Sequence, residues 1–228
     1  MGKEDMKLIW GSGSNPCWRA MIAIEEKGFG DIEKKLISFS EKGHKGADVM
    51  AKNPRGQVPT FSDGDIIVNE SLAICLYLEN AYPDNGTKLV PKEKMAQVYQ
   101  MAIEAQENLQ MKIAVKCIYY QWRLPEEQRD EKTLKENFQA AREELQIWDK
   151  RLEKSGGDFV CGDKFTLVDV VLFPYVATVK RFGNDLSGFP NLKIYYEKLC
   201  KRPSIDKSWP PHWREAELAD EKKILKAI

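Results

Sequence analysis

Two stretches of this chain carry groups spaced for chemistry. The first is Ser14-Asn15-Pro16-Cys17, which follows Gly11-Ser12-Gly13 and opens an apolar helical pattern. A hydroxyl at such a strand-to-helix turn faces free N–H groups and the positive end of the helix dipole. It cannot take part in dithiol exchange, but it can donate a hydrogen bond to a bound thiolate and favour ionisation of that thiol. The magnitudes suffice. A free thiol has a pKa of about 8.5, each unit of depression needs about 1.4 kcal/mol, and one hydrogen bond to a charged group contributes roughly 1.5–3 kcal/mol. Ser14 is the first candidate for this role, and Ser12 is close enough to compete.

The second stretch is residues 53–79. Gln57-Val58-Pro59-Thr60-Phe61 starts as a strand, but a proline cannot donate to a ladder, so Pro59 implies an edge, a bulge or a cis peptide. Asp63-Gly64 is a two-residue turn signal before a second short strand, Ile66-Ile67-Val68. Asn69-Glu70-Ser71 then opens a helix with a broad apolar side, from Leu72 to Leu78. Ser71 is a natural N-cap, and a helix start is an anion site. The unit can hold an extended peptide that carries a carboxylate.

These stretches need a scaffold, and the flanking pattern supplies one. Lys7–Trp10 reads as a strand, Cys17–Lys27 as a helix stopped by Gly28, and Leu36–Phe39 as a second strand, which makes a right-handed βαβ unit. With a short helix within 40–52, the hairpin and the next helix, the order is βαβ-ββα. Tyr82-Pro83-Asp84-Asn85-Gly86 and Pro91 break the pattern. Beyond them the spacing predicts only helices: 93–122, about 131–154, one from Thr166 to about Arg181, and one from Phe189 to about Cys200. Thr166 and Asp169 form a capping box, a structural device. The expected division is a domain over 1–84, a linker over 85–92 and a helical domain over 93–228. The tail, Ser208-Trp209-Pro210-Pro211-His212-Trp213-Arg214, is expected to pack on that helical domain or to close an apolar pocket.

Composition narrows the function. Over 228 residues, 35 basic and 35 acidic side chains balance, which gives no footprint for nucleic acid or an anionic membrane. Two histidines and five scattered cysteines offer no metal-ligand spacing. No apolar run approaches the roughly 18 residues of a membrane helix. The charged start shows no signal-peptide pattern, and the odd cysteine count fits a reducing compartment, so the expectation is a cytoplasmic globular protein.

Gln57-Val58-Pro59 with Glu70-Ser71 resembles the glutathione-binding unit of the glutathione transferases. Ser14-Asn15-Pro16-Cys17 is similar to the active-site segment of their serine-type theta members, Trp18-Arg19 to the zeta kind, and GSGSNPCWRAMIAIEEKG as a whole to the rho class of aquatic animals. The resemblance implies an α/β thioredoxin-like N-terminal domain followed by an all-α C-terminal domain that contributes the electrophile pocket and dimer contacts. In the redox relatives of that fold the turn carries C-x-x-C, whose first cysteine is replaced here by Ser14. The implied reaction joins the glutathione thiolate to apolar electrophiles, as in detoxification, with glutathione as cosubstrate and no cofactor.

In that reading Ser14 stabilises the thiolate. Val58 and a cis peptide at Pro59 pair with the cysteinyl backbone, and Glu70 and Ser71 hold the glutamyl end. His44, Lys45 and Gln57 complete the contacts, Lys45 at the glycyl carboxylate. Tyr119, Tyr120, Trp122, Arg123, Trp209 and Trp213 are the candidates for the electrophile pocket, and the family implies a homodimer. Competing readings are a thiol transferase or dehydroascorbate reductase using Cys17, and a non-catalytic interaction module of the same fold. A zeta-like isomerase is disfavoured because the doubled serine of that class reads Ser14-Asn15-Pro16 here.

Overall fold

A computed structural model describes residues 3–228. The chain divides into two units: residues up to Leu89 together with Pro203–Ala216, and Val90–Arg202 together with Glu217–Ile228. Among the described residues no helix is long and apolar enough to cross a membrane.

The first unit is built on a four-stranded sheet in the order β2-β1-β3-β4. β1 (Met6–Gly11) is central, and it is buried at every position but Lys7. It pairs in parallel with β2 (Glu33–Ile37), so that Gly11 faces Ile37. It pairs antiparallel with β3 (Thr60–Asp63), with Ile9 opposite Thr60. The hairpin partner β4 (Ile66–Asn69) sets Asn69 opposite Thr60. α1 (Asn15–Glu26) crosses from β1 to β2, α2 (Ala47–Met50) is a single turn, and α3 (Ser71–Ala81) packs against α1. Leu8, Ile22, Ile24, Phe61, Ile74 and Leu78 make the dry interior between sheet and helices. This is the βαβ-ββα order expected of a thioredoxin-like domain.

β2 lies earlier than the apolar run at Leu36–Phe39 suggests. An edge strand pairs on one side only, so it tolerates Glu33-Lys34-Lys35, whose charges find partners in Lys7–Glu33 (2.8 Å) and Lys34–Glu25 (2.9 Å). A search for apolar runs passes over such a strand.

The second unit is helical. α4 (Met95–Glu104) continues without a break through a π-wound stretch, Ala105–Tyr119, into α5 (Tyr120–Arg123). Its buried residues Ala105, Leu109, Ile113 and Cys117 recur every four positions, which places each beside the next on one side of the helix. α6 (Glu131–Ser155) starts at the Asp130 cap and ends at Gly156 in the left-handed region. α7 (Leu167–Arg181) is buried from Leu167 through Val179 and forms the unit's axis, followed by α8 (Pro190–Leu199).

The capping box at α7 is present. The buried Asp169 carboxylate accepts from Thr166 N–H (2.8 Å), Thr166 Oγ (3.1 Å), Val160 N–H (3.2 Å) and the Tyr195 hydroxyl (3.3 Å). Burial nevertheless pushes its pKa up to about 6, against those hydrogen bonds.

The tail departs from the expected division. α9 (Pro203–Ser208) and α10 (Pro211–Glu215) belong to the first unit, not to the helical one, and α9 packs on α1. The Ser204 hydroxyl donates to the buried Glu26 carboxylate, and Trp18 Nε1 donates to Ser208 Oγ at 3.0 Å. Trp209 and Trp213 stand edge-on to Trp18, with ring centroids 5.0 and 5.5 Å away. Apolar and polar partners for this segment thus lie on α1, which contact-blind spacing cannot show.

Candidate functional site

Sheet register brings the chemistry to one end of the first unit. β1 leaves the sheet at Gly11 into the Ser12–Ser14 turn, and β2, paired with it at Ile37, runs on toward His44 and Lys45. Because Thr60 sits opposite both Ile9 and Asn69, Gln57–Pro59 enters and Glu70–Ser71 leaves at that same end.

Ser14 is the N-cap of α1, with φ −81° and ψ 116°. Its Oγ accepts the Cys17 N–H at 3.4 Å, and its carbonyl accepts the Trp18 N–H at 2.9 Å. Pro16 occupies the first turn, where no N–H is needed. Gly13, at φ +79°, makes the bend that delivers Ser14 to the helix start. A capping hydroxyl that accepts keeps its own hydrogen for donation, which is what a thiolate requires. Ser12 is differently engaged: its Oγ shares a hydrogen bond of 2.6 Å with His212 Nδ1.

Cys17 is fully buried, and its sulfur accepts the Gly11 N–H at 3.3 Å. Burial pushes the thiol up to about 11, outweighing the opposing pulls of Ser14 and Gly11. A reading in which Cys17 acts as an exposed thiolate therefore has no support in the geometry, since a reactive cysteine needs a low pKa and access.

The Val58–Pro59 peptide is cis, which decides among the three roles open to Pro59. Val58, half-buried, lies beyond the last β1–β3 pair, so its backbone stands clear of the ladder. Gln57 is exposed while its carbonyl is held from two sides, by Asn53 Nδ2 (2.9 Å) and Thr60 Oγ1 (3.2 Å). Asn53, buried, is a supporting residue that motif reading passed over; the Asn53-Pro54 turn was its signal.

α3 starts one residue earlier than a serine cap implies. Glu70 holds the cap position and Ser71, buried, is the first helical residue. Glu70 adopts φ +68°, a conformation that non-glycine residues avoid, and this turns the chain so abruptly that the helix begins at Ser71. No side chain caps the helix, and the first carbonyl-closed turn is Ile74 N–H to Glu70 O at 3.0 Å. The N–H groups of Ser71, Leu72 and Ala73 precede that bond and converge as an anion site.

His44 lies in a 3₁₀ turn, Gly43–Lys45, half-buried against the Phe39 ring, and its Nδ1 is buried with no hydrogen-bond partner among the described residues. Lys45 is exposed, and its Nζ donates to Arg55 O at 2.9 Å, next to the Gln57 loop.

The aromatic candidates fall in different units. In the helical one, Trp122 is 61% exposed beside Tyr119 (6.1 Å) and Phe182 (5.6 Å), and the Arg123 guanidinium lies 5.2 Å over Tyr119. The Tyr120 hydroxyl accepts the Asp130 N–H at 3.0 Å. Trp209 and Trp213 belong to the α1 cluster of the first unit.

Comparison with known proteins agrees with this architecture. Residues 13–81 match the family described as glutathione S-transferase, N-terminal domain, and residues 90–203 match glutathione S-transferase, C-terminal domain. Glutathione S-transferase A of Pleuronectes platessa is 45% identical over 215 residues, covering 93% of this chain and 95% of the relative. Glutathione S-transferase 1 of Dianthus caryophyllus is 30% identical over 199 residues, covering 87% and 88%. The crystal structure of a glutathione S-transferase from the Antarctic clam Laternula elliptica superposes with a TM-score of 0.87 at 39% identity, covering 99% of this chain and all of that one. The chain belongs to the glutathione S-transferase family.

Proposed function

We propose that the protein joins the thiolate of glutathione to apolar electrophiles, with Ser14 as the residue that stabilises the thiolate. One observation carries this reading: the sheet register gathers the Ser14 turn, the cis Val58–Pro59 segment and the uncapped start of α3 at one end of one unit. β1 and β4 are two strand spacings apart, about 10 Å. The middle residue and glutamyl arm of an extended tripeptide, at about 3.5 Å per residue, cover most of that distance. Its sulfur then meets Ser14, its middle backbone meets Val58, and its glutamyl carboxylate meets the N–H groups at Ser71, beside Glu70. His44, Lys45 and Gln57 border the remaining length.

Chemistry at this site needs a lowered thiol pKa and an apolar surface for the second substrate, for which Trp209 and Trp213 of the same unit are the candidates. The resemblance of the Ser14 segment to the rho class supports assignment to that class. We further assign the protein to the cytoplasm, to detoxification and to a two-fold homodimer; the exposed Ile66 and Ile67 on edge strand β4 favour pairing with a second copy. The test is a conjugation assay with glutathione and an activated aryl halide. Saturable turnover with micromolar-to-millimolar glutathione supports the reading, and absence of both turnover and glutathione binding overturns it.

A further inference from the structure

Ser14 is tied into α1 by the Trp18 N–H to Ser14 O bond of 2.9 Å, but the turn ahead of it closes loosely. Its backbone closure, Ser14 N–H to Gly11 O, is 3.4 Å long, and the Ser14 Oγ contact with Cys17 N–H is equally long. Both lie at the far limit of hydrogen-bond geometry. A short hold on Ser12, ahead of Ser14, comes from 200 residues away in the chain, where His212 Nδ1 meets Ser12 Oγ at 2.6 Å.

The same segment also covers the turn. A Cβ placed on Gly13 would come within 2.9 Å of His212 Cε1 and 3.3 Å of Trp213 Nε1, so the imidazole and indole lie directly on the backbone between the two serines. The tail is itself seated on α1, by Trp18 Nε1 to Ser208 Oγ at 3.0 Å, by Ser204 on Glu26 and by the packing of Trp18, Trp209 and Trp213. His212 is thus presented to Ser12 by a braced element rather than by a loose end.

We infer that His212 is a positioning residue: through Ser12 and Gly13 it fixes the turn, and so sets where the Ser14 hydroxyl meets the sulfur of glutathione. Ser12 serves as the handle by which the tail holds the turn, and Ser14 acts on the substrate. This rests on the thiolate reading given above.

The test measures the thiol pKa of bound glutathione and kcat for an aryl halide in wild type, Ser12→Ala, His212→Ala, His212→Asn and the double Ser12→Ala/His212→Ala. Loss of one net hydrogen bond predicts about a five-fold fall in kcat and a thiol pKa raised by a few tenths of a unit in each alanine variant, at little cost in KM. The double variant is expected to lose no more than either single one. His212→Asn, whose amide reaches where Nδ1 sits, restores most of the loss. Ser12→Ala keeps the bonds and ring packing that seat the tail on α1, so its effect does not depend on how well the His212 variants dock. If Ser12→Ala matches wild type, or if the two losses add in full, the inference is wrong. A wild type that binds glutathione without ionising it defeats instead the reading on which this one rests.

Discussion

Lys27 Nζ and Glu79 Oε2 meet 3.1 Å apart across 52 residues of sequence, with Lys27 wholly buried and Glu79 only 4% exposed. The pair joins the end of α1 to α3. It also receives the following chain, because Glu79 accepts the Leu89 N–H at 3.1 Å and Lys27 donates to Thr87 O at 3.4 Å. Lys27→Met takes the buried cation from Glu79, which keeps the half-exposed Lys88 at 3.7 Å, so the expected cost is about 2–3 kcal/mol, short of a fully orphaned buried charge. Lys27→Met/Glu79→Leu, which removes both charges, should recover much of it. Urea unfolding midpoints of the three proteins check this.

Asp169 gathers four donors at the start of α7 while carrying no exposed surface. Asp169→Ala orphans them and should cost about 2–4 kcal/mol. Because the folded pKa is raised to about 6, the native state holds this proton more tightly than the unfolded chain does. The carboxyl's contribution is therefore complete below its unfolded value of about 4 and is lost as pH rises through about 6. Unfolding free energy measured from pH 4 to 7 should fall more steeply in wild type than in Asp169→Ala.

Glu70 sits at φ +68° just where an anion site opens. Such a conformation costs on the order of 1–3 kcal/mol in a non-glycine residue. Glu70→Gly should therefore raise stability by up to about 1 kcal/mol, since glycine's extra chain entropy offsets part of the relief. Removal of the side chain should at the same time weaken glutathione binding. Calorimetric unfolding and binding on the same variant separate the two effects.

Burial keeps the Cys17 thiol near pKa 11 and the Cys75 thiol near 12, and Cys117 is buried as well. At pH 8 an alkylating reagent should leave these three unmodified in the folded protein, with Cys200, the partly exposed one, modified first. Cys17→Ala should keep conjugation within about three-fold of wild type, the scale of a small packing loss. Peptide mapping and steady-state rates check both statements.

The two domains' element order was readable because turn chemistry punctuates it: Gly28, Asp63-Gly64, Pro83 and Gly156 each end or bend an element where periodicity changes. The α7 start was legible from Thr166 and Asp169 alone, since a capping box is a local device. Glu33–Lys35 escaped notice because an edge strand hides no apolar face. Serine's preference for the cap position is local and points to Ser71, whereas Glu70's backbone is set by the register of β4 and the packing of α3. Lys27–Glu79 and Ser12–His212 lie beyond sequence reading for the same reason. They join residues 52 and 200 positions apart, and no spacing rule reaches that far.

The central claim is that Ser14 ionises the thiol, and the ultraviolet thiolate absorbance of bound glutathione tests it most directly. Wild type and Ser14→Ala would be titrated from about pH 5 to 9 at saturating glutathione. The account predicts a thiolate that forms near neutrality in wild type, and a pKa returned towards about 8.5 in Ser14→Ala. Identical titrations in the two proteins would contradict it.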